Sequence, residues 1–430
     1  VSRVYLSFLG LGSDKGDGTK GYTPAVYELN RVVSGKTEFV QVAEHEISQK
    51  LGLEPFDRTI IVATARSRDA NFTRLERELK IVGAENIVAV IIEEDMSSEG
   101  QWKWFETILA HIDHGDRLTV DLTHGYRSMP IVFSTAINFL QKARNVTLDA
   151  LYYAAYEQNR DQPPIVDMKD FCIVNEWAEA VSRLVEDADA RKMGKVAEMT
   201  PGFQAGELND PELVKAFEKL TDAIRNVDIH NVMAKAESAI QMIRQKEATA
   251  SLTGRMLLGL VLDKFTSLVT GEPASGRYDR AYFQTQLEII RLLLKHRLFM
   301  QAYTVMREFI ASIGLIRVDK ARVGSAKGRA SRSRFAEVFV SMLNISEDKW
   351  DFKERTENKD VLLPYYLELK RIGVEKLLRD FTKELVDYRN GFDHAWTSKA
   401  SAKEDIEEKG NKFLEGLEEV IRVLTRNEVL

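Results

Sequence analysis

The chain of 430 residues has a single cysteine, Cys172. A lone thiol closes no internal disulfide and builds no cysteine-based zinc or iron-sulfur centre, which fits a reducing, cytoplasmic setting. Proline is scarce at 9 residues and glycine ordinary at 25, so collagen-like, low-complexity and disordered classes are excluded. Long apolar runs are absent too. No stretch approaches the ~18 uninterrupted apolar residues of a membrane span, and the most apolar helical one, RMLLGLVLDKF, is broken at Asp263 and Lys264. The opening VSRVYLSFLGLGSDKG lacks a signal peptide's apolar core and cleavage pattern and reads as a first strand. The 7 histidines are scattered. Their one close pair, His111 and His114 beside Asp113 and Asp116, reads as a surface helix end, so no metal site and no cofactor are expected. Neither charge sign dominates: 60 basic against 66 acidic residues leave a net charge of −6, too little to define a partner for the whole molecule.

What is present is ordinary globular material, 44% hydrophobic and 29% charged, in about three times the ~150 residues of one domain. Up to about residue 170, short β-branched runs alternate with helical stretches, the pattern of βαβ units on a mostly parallel sheet. The runs are Val4 to Leu9, Thr59 to Ala63, Asn86 to Ile92, Leu118 to Leu122 and Leu148 to Ala155. Several are apolar almost throughout, as strands covered on both faces should be. The stretch GYTPAVYELNRVVSGKTEFVQ reads as a hairpin, with a helix arriving only at Val42 to Leu51. Beyond residue 170 the apolar period becomes 3.6 and no strand is expected. Candidate helices are Glu176 to Met193, Pro211 to Lys246, Leu252 to Val269, Ala281 to Ile313, Phe335 to Leu343, Val361 to Tyr388 and Asp405 to Arg426. The expected fold is a Rossmann-like α/β domain over residues 1–170, a helical connector or insertion over 171–275 and an all-α domain over 276–430.

The segment Arg317 to Arg334 carries seven Lys or Arg against one Asp, a local charge of +6 that leaves the rest of the chain near −12. Its Gly, Ser and Ala content predicts a mobile loop. Arg322, Lys327, Arg329, Arg332 and Arg334 could neutralise phosphates of a flexible RNA strand, and a solvated connector between helices fits equally well.

Ligands of open α/β sheets sit at the carboxyl ends of strands, where a following helix aims free N–H groups at an anion. The turn Thr123, His124, Gly125, Tyr126, Arg127, Ser128 before an apolar helix has that design, although a routine turn with Ser128 as N-cap and Pro130 opening the helix fits the same residues. Two more strand ends point to the same rim: Gly10, Leu11, Gly12, Ser13 and Thr64, Ala65, Arg66, Ser67. Together they predict a pocket for a ligand with several phosphates. GLGSDKG is a weak dinucleotide fingerprint, because no helix follows it at once.

An Arg and a His can cut RNA without metal: His moves a proton, Arg holds the developing charge, and the RNA 2'-OH is the nucleophile. The spacing R-x-x-x-x-H occurs at Arg225/His230, Arg291/His296 and Arg389/His394. A five-residue step turns a helix by roughly 140°, so the two groups diverge unless the backbone bends or the helix ends between them. Gly391 makes this easiest in RNGFDH. RLLLKH reads as core leucines with two exposed bases, and RNVDIH as the rival pair or a surface helix.

At RNGFDH the helical region carrying Arg389, Asn390 and His394 resembles a HEPN ribonuclease domain. DLTHGYRSMP, residues 121–130, with the Rossmann-like strands resembles a CARF domain, the sensor module that binds cyclic oligoadenylates. The whole chain is similar to the CRISPR-associated CARF-HEPN ribonucleases of type III systems, most strongly at those two motifs. The resemblance implies a homodimer or higher symmetric oligomer that binds cyclic tetra- or hexa-adenylate across its two-fold axis. It implies metal-independent cleavage of single-stranded RNA in a composite cleft, leaving a 2',3'-cyclic phosphate. Arg389 and His394 would be catalytic and Asn390 would orient them. Ligand contacts would come from Gly10, Gly12, Ser13, Thr64, Arg66, Ser67, Thr123, His124, Gly125, Tyr126 and Arg127. Two other readings use the same sensor: a ligand-sensing transcription regulator, and a sensor that also cleaves its activator through groups such as His124 or Arg127.

Overall fold

A computed structural model of the chain describes residues 1–14, 16, 20–125, 128–156, 161–199, 207–269, 278–318, 326–350, 352, 356–397 and 405–430, with backbone alone at 229–230, 326–334 and 356–358. It divides into two compact units, Val1–Glu176 and Trp177–Leu430.

In the first unit β1 (Arg3–Leu9) is followed by a small hairpin, β2 (Ser13–Asp14) and β3 (Lys20–Gly21), and a second, β4 (Ala25–Leu29) and β5 (Val32–Thr37). Next come α1 (Val40–Lys50), β6 (Arg58–Thr64), the single turn α2 (Ala65–Ser67), a π-helical turn at Arg68–Phe72, and α3 (Thr73–Ile81). The unit continues with β7 (Ile87–Ile92), α4 (Ser98–Ala110), β8 (Arg117–Asp121), α5 (Met129–Ala143), β9 (Thr147–Ala154) and β10 (Ile165–Asp167). The main sheet has the order β10-β9-β8-β1-β6-β7, parallel except for the β10 edge. The fold is Rossmann-like, with the expected hairpin ahead of the first crossover helix, α1. The chain winds from β1 out to β7, then returns to β8 on the other side of β1, so the order reverses between β1 and β8. Sequence reading missed β10, because three residues carry too little alternation to register.

Alternate residues of each strand fill two cores. Phe8, Val62 and Ile92 pack with Trp104 of α4 and Phe133 of α5, while Tyr5, Leu9 and Ile61 meet Phe39, Val42, Leu75 and Leu79. The second face is also polar inside. The Tyr5 hydroxyl donates to Glu44 at 2.6 Å, Gln41 Nε2 donates to Ser7 Oγ at 3.0 Å and to Phe8 O at 2.8 Å, and Ser7 Oγ donates to Asp121 at 2.6 Å. His45 donates from Nδ1 to Gln41 O at 2.8 Å and accepts at Nε2 from Thr59 at 3.0 Å. A carbonyl only accepts, which fixes this tautomer. Burial pushes the His45 imidazole down to about 4.

The second unit holds only helices among the described residues: the end of Lys169–Asp187, then Arg191–Met199, Pro211–Arg225, Ile229–Glu247, Leu252–Phe265, Arg280–Lys295, Phe299–Ile313, Ala326–Asn344, Thr356–Arg371, Val374–Asp393 and Ile406–Arg426, with short 3-10 turns between some of them. Four expected helices are each split in two. The breaks are left-handed residues at Val227, Arg297, Gly373 and Ala188, with φ of 58°, 56°, 83° and 49°. At the first two the chain closes a Schellman turn, Asp228 N–H reaching Ala223 O at 2.8 Å and Leu298 N–H reaching Leu293 O at 2.9 Å. Glycine usually signals this turn, and Val and Arg gave no warning. The basic segment also departs from the expected mobile loop: residues 326–334 form the first half of the Ala326–Asn344 helix. Ala, Lys and Arg are strong helix formers, and no proline interrupts them.

Burial, with Asp121 nearby, pushes the Glu44 carboxyl well above its ordinary 4.5. The folded chain therefore holds a proton there that the unfolded chain releases, so stability falls as pH rises from about 4.5 toward the raised value. Glu44→Gln keeps an acceptor for Tyr5 and removes this titration. Its Tm measured from pH 5 to 8 should decline less steeply than that of the wild type, and parallel curves would contradict the assignment.

Candidate functional site

The carboxyl ends of β1, β6 and β7 and the turn after β8 enclose a cavity of about 390 Å³, near the lower bound of small-molecule sites, ~300 Å³. Of the residues proposed from sequence, Gly10, Thr64, Arg66, Ser67 and Gly125 line it. Gly12 and Ser13 serve the β2/β3 hairpin: a Cβ on Gly12 would lie 2.2 Å from Gly21 O, and Ser13 pairs with Gly21. Thr123 donates from its backbone N to Asp121 at 2.9 Å and from its hydroxyl at 2.5 Å, and its Oγ1 accepts the Ala154 N–H. The His124 ring stacks on Tyr22 at 4.4 Å. Tyr126 and Arg127 lie outside the described residues. Ser128 precedes α5 without a side-chain cap, so the N-cap role a routine turn would give it is not filled, and its Oγ is buried without a hydrogen-bond partner among the described residues.

Most of the lining is apolar: Phe8, Leu9, Leu11, Val62, Ala63, Ile92 and Met129. Arg66 is the one cation among the described lining residues, and it is paired with Glu94 at 3.5 Å. Thr64 and Ser67 form a closed capping box. Thr64 Oγ1 accepts from Ser67 N and donates to Ser67 Oγ, and Ser67 Oγ donates to Thr64 O. Their hydroxyl hydrogens are thus used within the turn.

Sequence reading missed the residues that shape this rim. Asn71, buried in the π-helical turn, donates to Gly10 O at 3.0 Å and Leu11 O at 3.1 Å and accepts from Arg74 at 2.7 Å. A π turn inserts an extra residue and is frequent at functional sites; here it carries Asn71 to the end of β1. Nothing in the sequence announces it. Glu94 is the second residue after the IVAVII run, and its place at that strand's carboxyl end is the signal for it.

Behind the rim, burial pushes the His124 imidazole down to about 4, and its Nε2 has no hydrogen-bond partner among the described residues. The same burial makes it a weak base, uncharged at neutral pH.

In the second unit the three Arg/His pairs can be compared. Each spans a helix end, so the geometric criterion that favoured RNGFDH does not separate them. His296 and His394 both cap helices, Arg280–Lys295 and Val374–Asp393. Gly391 does not bend the chain, contrary to expectation: it lies inside the helix, and its missing Cβ makes room for the Trp396 ring, which that atom would meet at 2.3 Å. Ala395 and Trp396 are left-handed, with φ of 47° and 58°, and Trp396 N–H reaches back to Gly391 O at 2.7 Å. This is again a Schellman turn, with its usual apolar contact between the residue after the turn and the last helical turn.

Surroundings do separate the pairs. His296, expected to be exposed, is 8% exposed and hydrogen-bonded through Nδ1 to Glu186 O, while Arg291 is paired with Glu288 and Glu418. Arg225 donates to Asp187 O at 3.1 Å, and the His230 side chain is outside the description. His394 is exposed. Arg389 is half-buried, ion-paired with Asp393 and within 3.4 Å of Asn390 Oδ1, and its Nε is buried without a hydrogen-bond partner among the described residues. Asn390 O accepts the His394 N–H at 3.0 Å. The third pair thus has an exposed imidazole and, five residues before it, a guanidinium held by a part-exposed carboxylate. Of the basic-segment residues, Lys327, Arg329, Arg332 and Arg334 lie on the Ala326–Asn344 helix, and Arg322 is outside the described residues. Arg58 is paired with Asp113 and Asp116, and His111 caps α4.

No family model matches the chain. It is similar to a CRISPR-associated protein of Methanocaldococcus jannaschii, 19% identical over 279 residues, which are 62% of this chain and 40% of that protein. The match thus spans two fifths of the relative's length. Among solved structures it is similar to Enterococcus italicus Csm6 bound to cyclic hexa-2'-fluoro-hexa-dAMP, at 11% identity and a TM-score of 0.45, covering 100% of this chain and 95% of that one.

The packing role of Gly391 is testable by itself. Gly391→Ala should cost about 1–3 kcal/mol through overpacking against Trp396, read as a lowered midpoint in chemical denaturation; a hinge glycine in open space would tolerate the change.

Proposed function

We propose that this chain is a CARF-HEPN ribonuclease of a type III CRISPR system, a metal-independent endoribonuclease switched on by a cyclic oligoadenylate. The observation that carries the reading is the accessible pair Arg389/His394 in one unit together with a strand-end cavity in the other. In this reading the 2'-OH of single-stranded RNA attacks the adjacent phosphorus. His394 moves the proton, and Arg389 holds the charge that develops on the phosphoryl oxygens. The products are a 2',3'-cyclic phosphate and a 5'-hydroxyl. RNA must draw Arg389 away from Asp393, an exchange that costs little because the pair is a third exposed. Asn390 orients Arg389 through its side-chain oxygen, while its backbone carbonyl accepts the His394 backbone N–H at the helix end.

One imidazole cannot serve as base and acid in the same step. A homodimer supplies a second, and it also matches a cyclic ligand of repeated nucleotides with a pocket made of the same loops twice. The basic start of the Ala326–Asn344 helix is the proposed RNA contact.

Full-length His394→Ala, assayed with cyclic hexa-adenylate, should lose about 10²–10⁴-fold in RNA cleavage while binding the ring as the wild type does. His230→Ala should retain the wild-type rate. Unchanged cleavage by His394→Ala, or loss confined to His230→Ala, would reject the site.

A further inference from the structure

Among the described residues, the cavity at the strand ends offers a phosphate few free donors. A phosphate oxygen is held by several free donors, yet the hydroxyl hydrogens of Thr64 and Ser67 are committed to each other's turn, which leaves Arg66, in an exposed and exchangeable pair with Glu94, as the one cation on the described wall. A carboxylate on the same wall repels an anion. The floor, Phe8, Val62, Ile92 and Met129, is an apolar surface of the kind that takes a heterocycle.

Glu94 stands over that floor for a reason legible in the strand. Side chains alternate along β7, so Val90, Ile92 and the residue two further on share one face. The Glu93 carbonyl accepts the Trp104 indole N–H at 2.9 Å, which fixes the backbone just before Glu94. The carboxylate, 37% exposed, has only acceptor atoms and so selects a ligand edge that offers N–H.

We infer that this cavity is a purine-base pocket in which Glu94 accepts a hydrogen bond from an exocyclic amine, making it the residue that selects adenine over a 6-oxo purine. The inference rests on the proposed cyclic oligoadenylate and assigns the base, not the phosphates, to this cavity. Hypoxanthine, with an oxygen where adenine has its amine, would set two acceptors face to face.

The test measures binding to the full chain of cyclic hexa-adenylate, the same ring built from inosine, AMP and IMP, in wild type and in Glu94→Gln. The substitution preserves size at a part-exposed position, and its amide both accepts and donates, so it tolerates either base. The wild type should prefer adenine over hypoxanthine by about tenfold or more, and Glu94→Gln should reduce the ratio to within about twofold. An unchanged ratio in Glu94→Gln, with the adenylate ring still bound, overturns the base pocket and leaves the activator standing. Wild-type preference for AMP over IMP, lost in Glu94→Gln, with neither ring bound, removes the proposed activator and leaves the pocket. Binding of none of the four overturns both.

Discussion

The hydrogen bond from Ser7 to Asp121 ties β1 to β8 where the strand order reverses, and the candidate ligand rim hangs from it. Burial raises the Asp121 carboxyl, while bonds from Ser7 and Thr123 lower it and so offset part of that cost. A hydrogen bond to an ionised group is worth about 1.5–3 kcal/mol, and a buried acceptor left bare costs as much or more, so the row from Gln41 through Ser7 and Asp121 to Thr123 stands or falls together. Thr123 passes the constraint on by accepting from Ala154. On the other side of β1, Asn71 holds the carbonyls of Gly10 and Leu11. The rim is thus braced from behind on both flanks, leaving the cavity itself apolar and open.

Much of this architecture is written in the sequence. Strand runs such as VYLSFL and TIIVA are continuous because both faces of the sheet are covered, and the absence of a helix after GLGSDKG follows from the hairpin that takes its place. The helical unit was legible as helical and illegible at its joints. Val227, Arg297 and Ala395 occupy left-handed turn positions where glycine is the usual marker, while Gly391 was taken as a hinge and is a packing contact. A residue's tolerance for an uncommon backbone conformation is set by the tertiary contacts around it, and a single sequence does not display those.

The same limit governed the candidate sites. Spacing found three Arg/His pairs and could not rank them, because a helix end falls within each. What separates them is burial and partners: an imidazole hydrogen-bonded to Glu186 O and enclosed in one case, solvent-exposed in another. At the strand ends, residue type pointed to phosphates, but the capping box uses the hydroxyls and Glu94 draws off the guanidinium. Polar residues at a rim reveal a ligand's chemistry only after their mutual bonds are subtracted.

The central claim is that a small cyclic nucleotide bound in one unit releases metal-independent RNA cleavage in the other. The direct measurement incubates the full chain with single-stranded RNA in EDTA, with and without cyclic tetra- or hexa-adenylate, and analyses the product ends. The account predicts cleavage only when a ring is present, undiminished by the chelator, with 2',3'-cyclic phosphate termini. Cleavage that ignores both rings, or that EDTA abolishes, would contradict it.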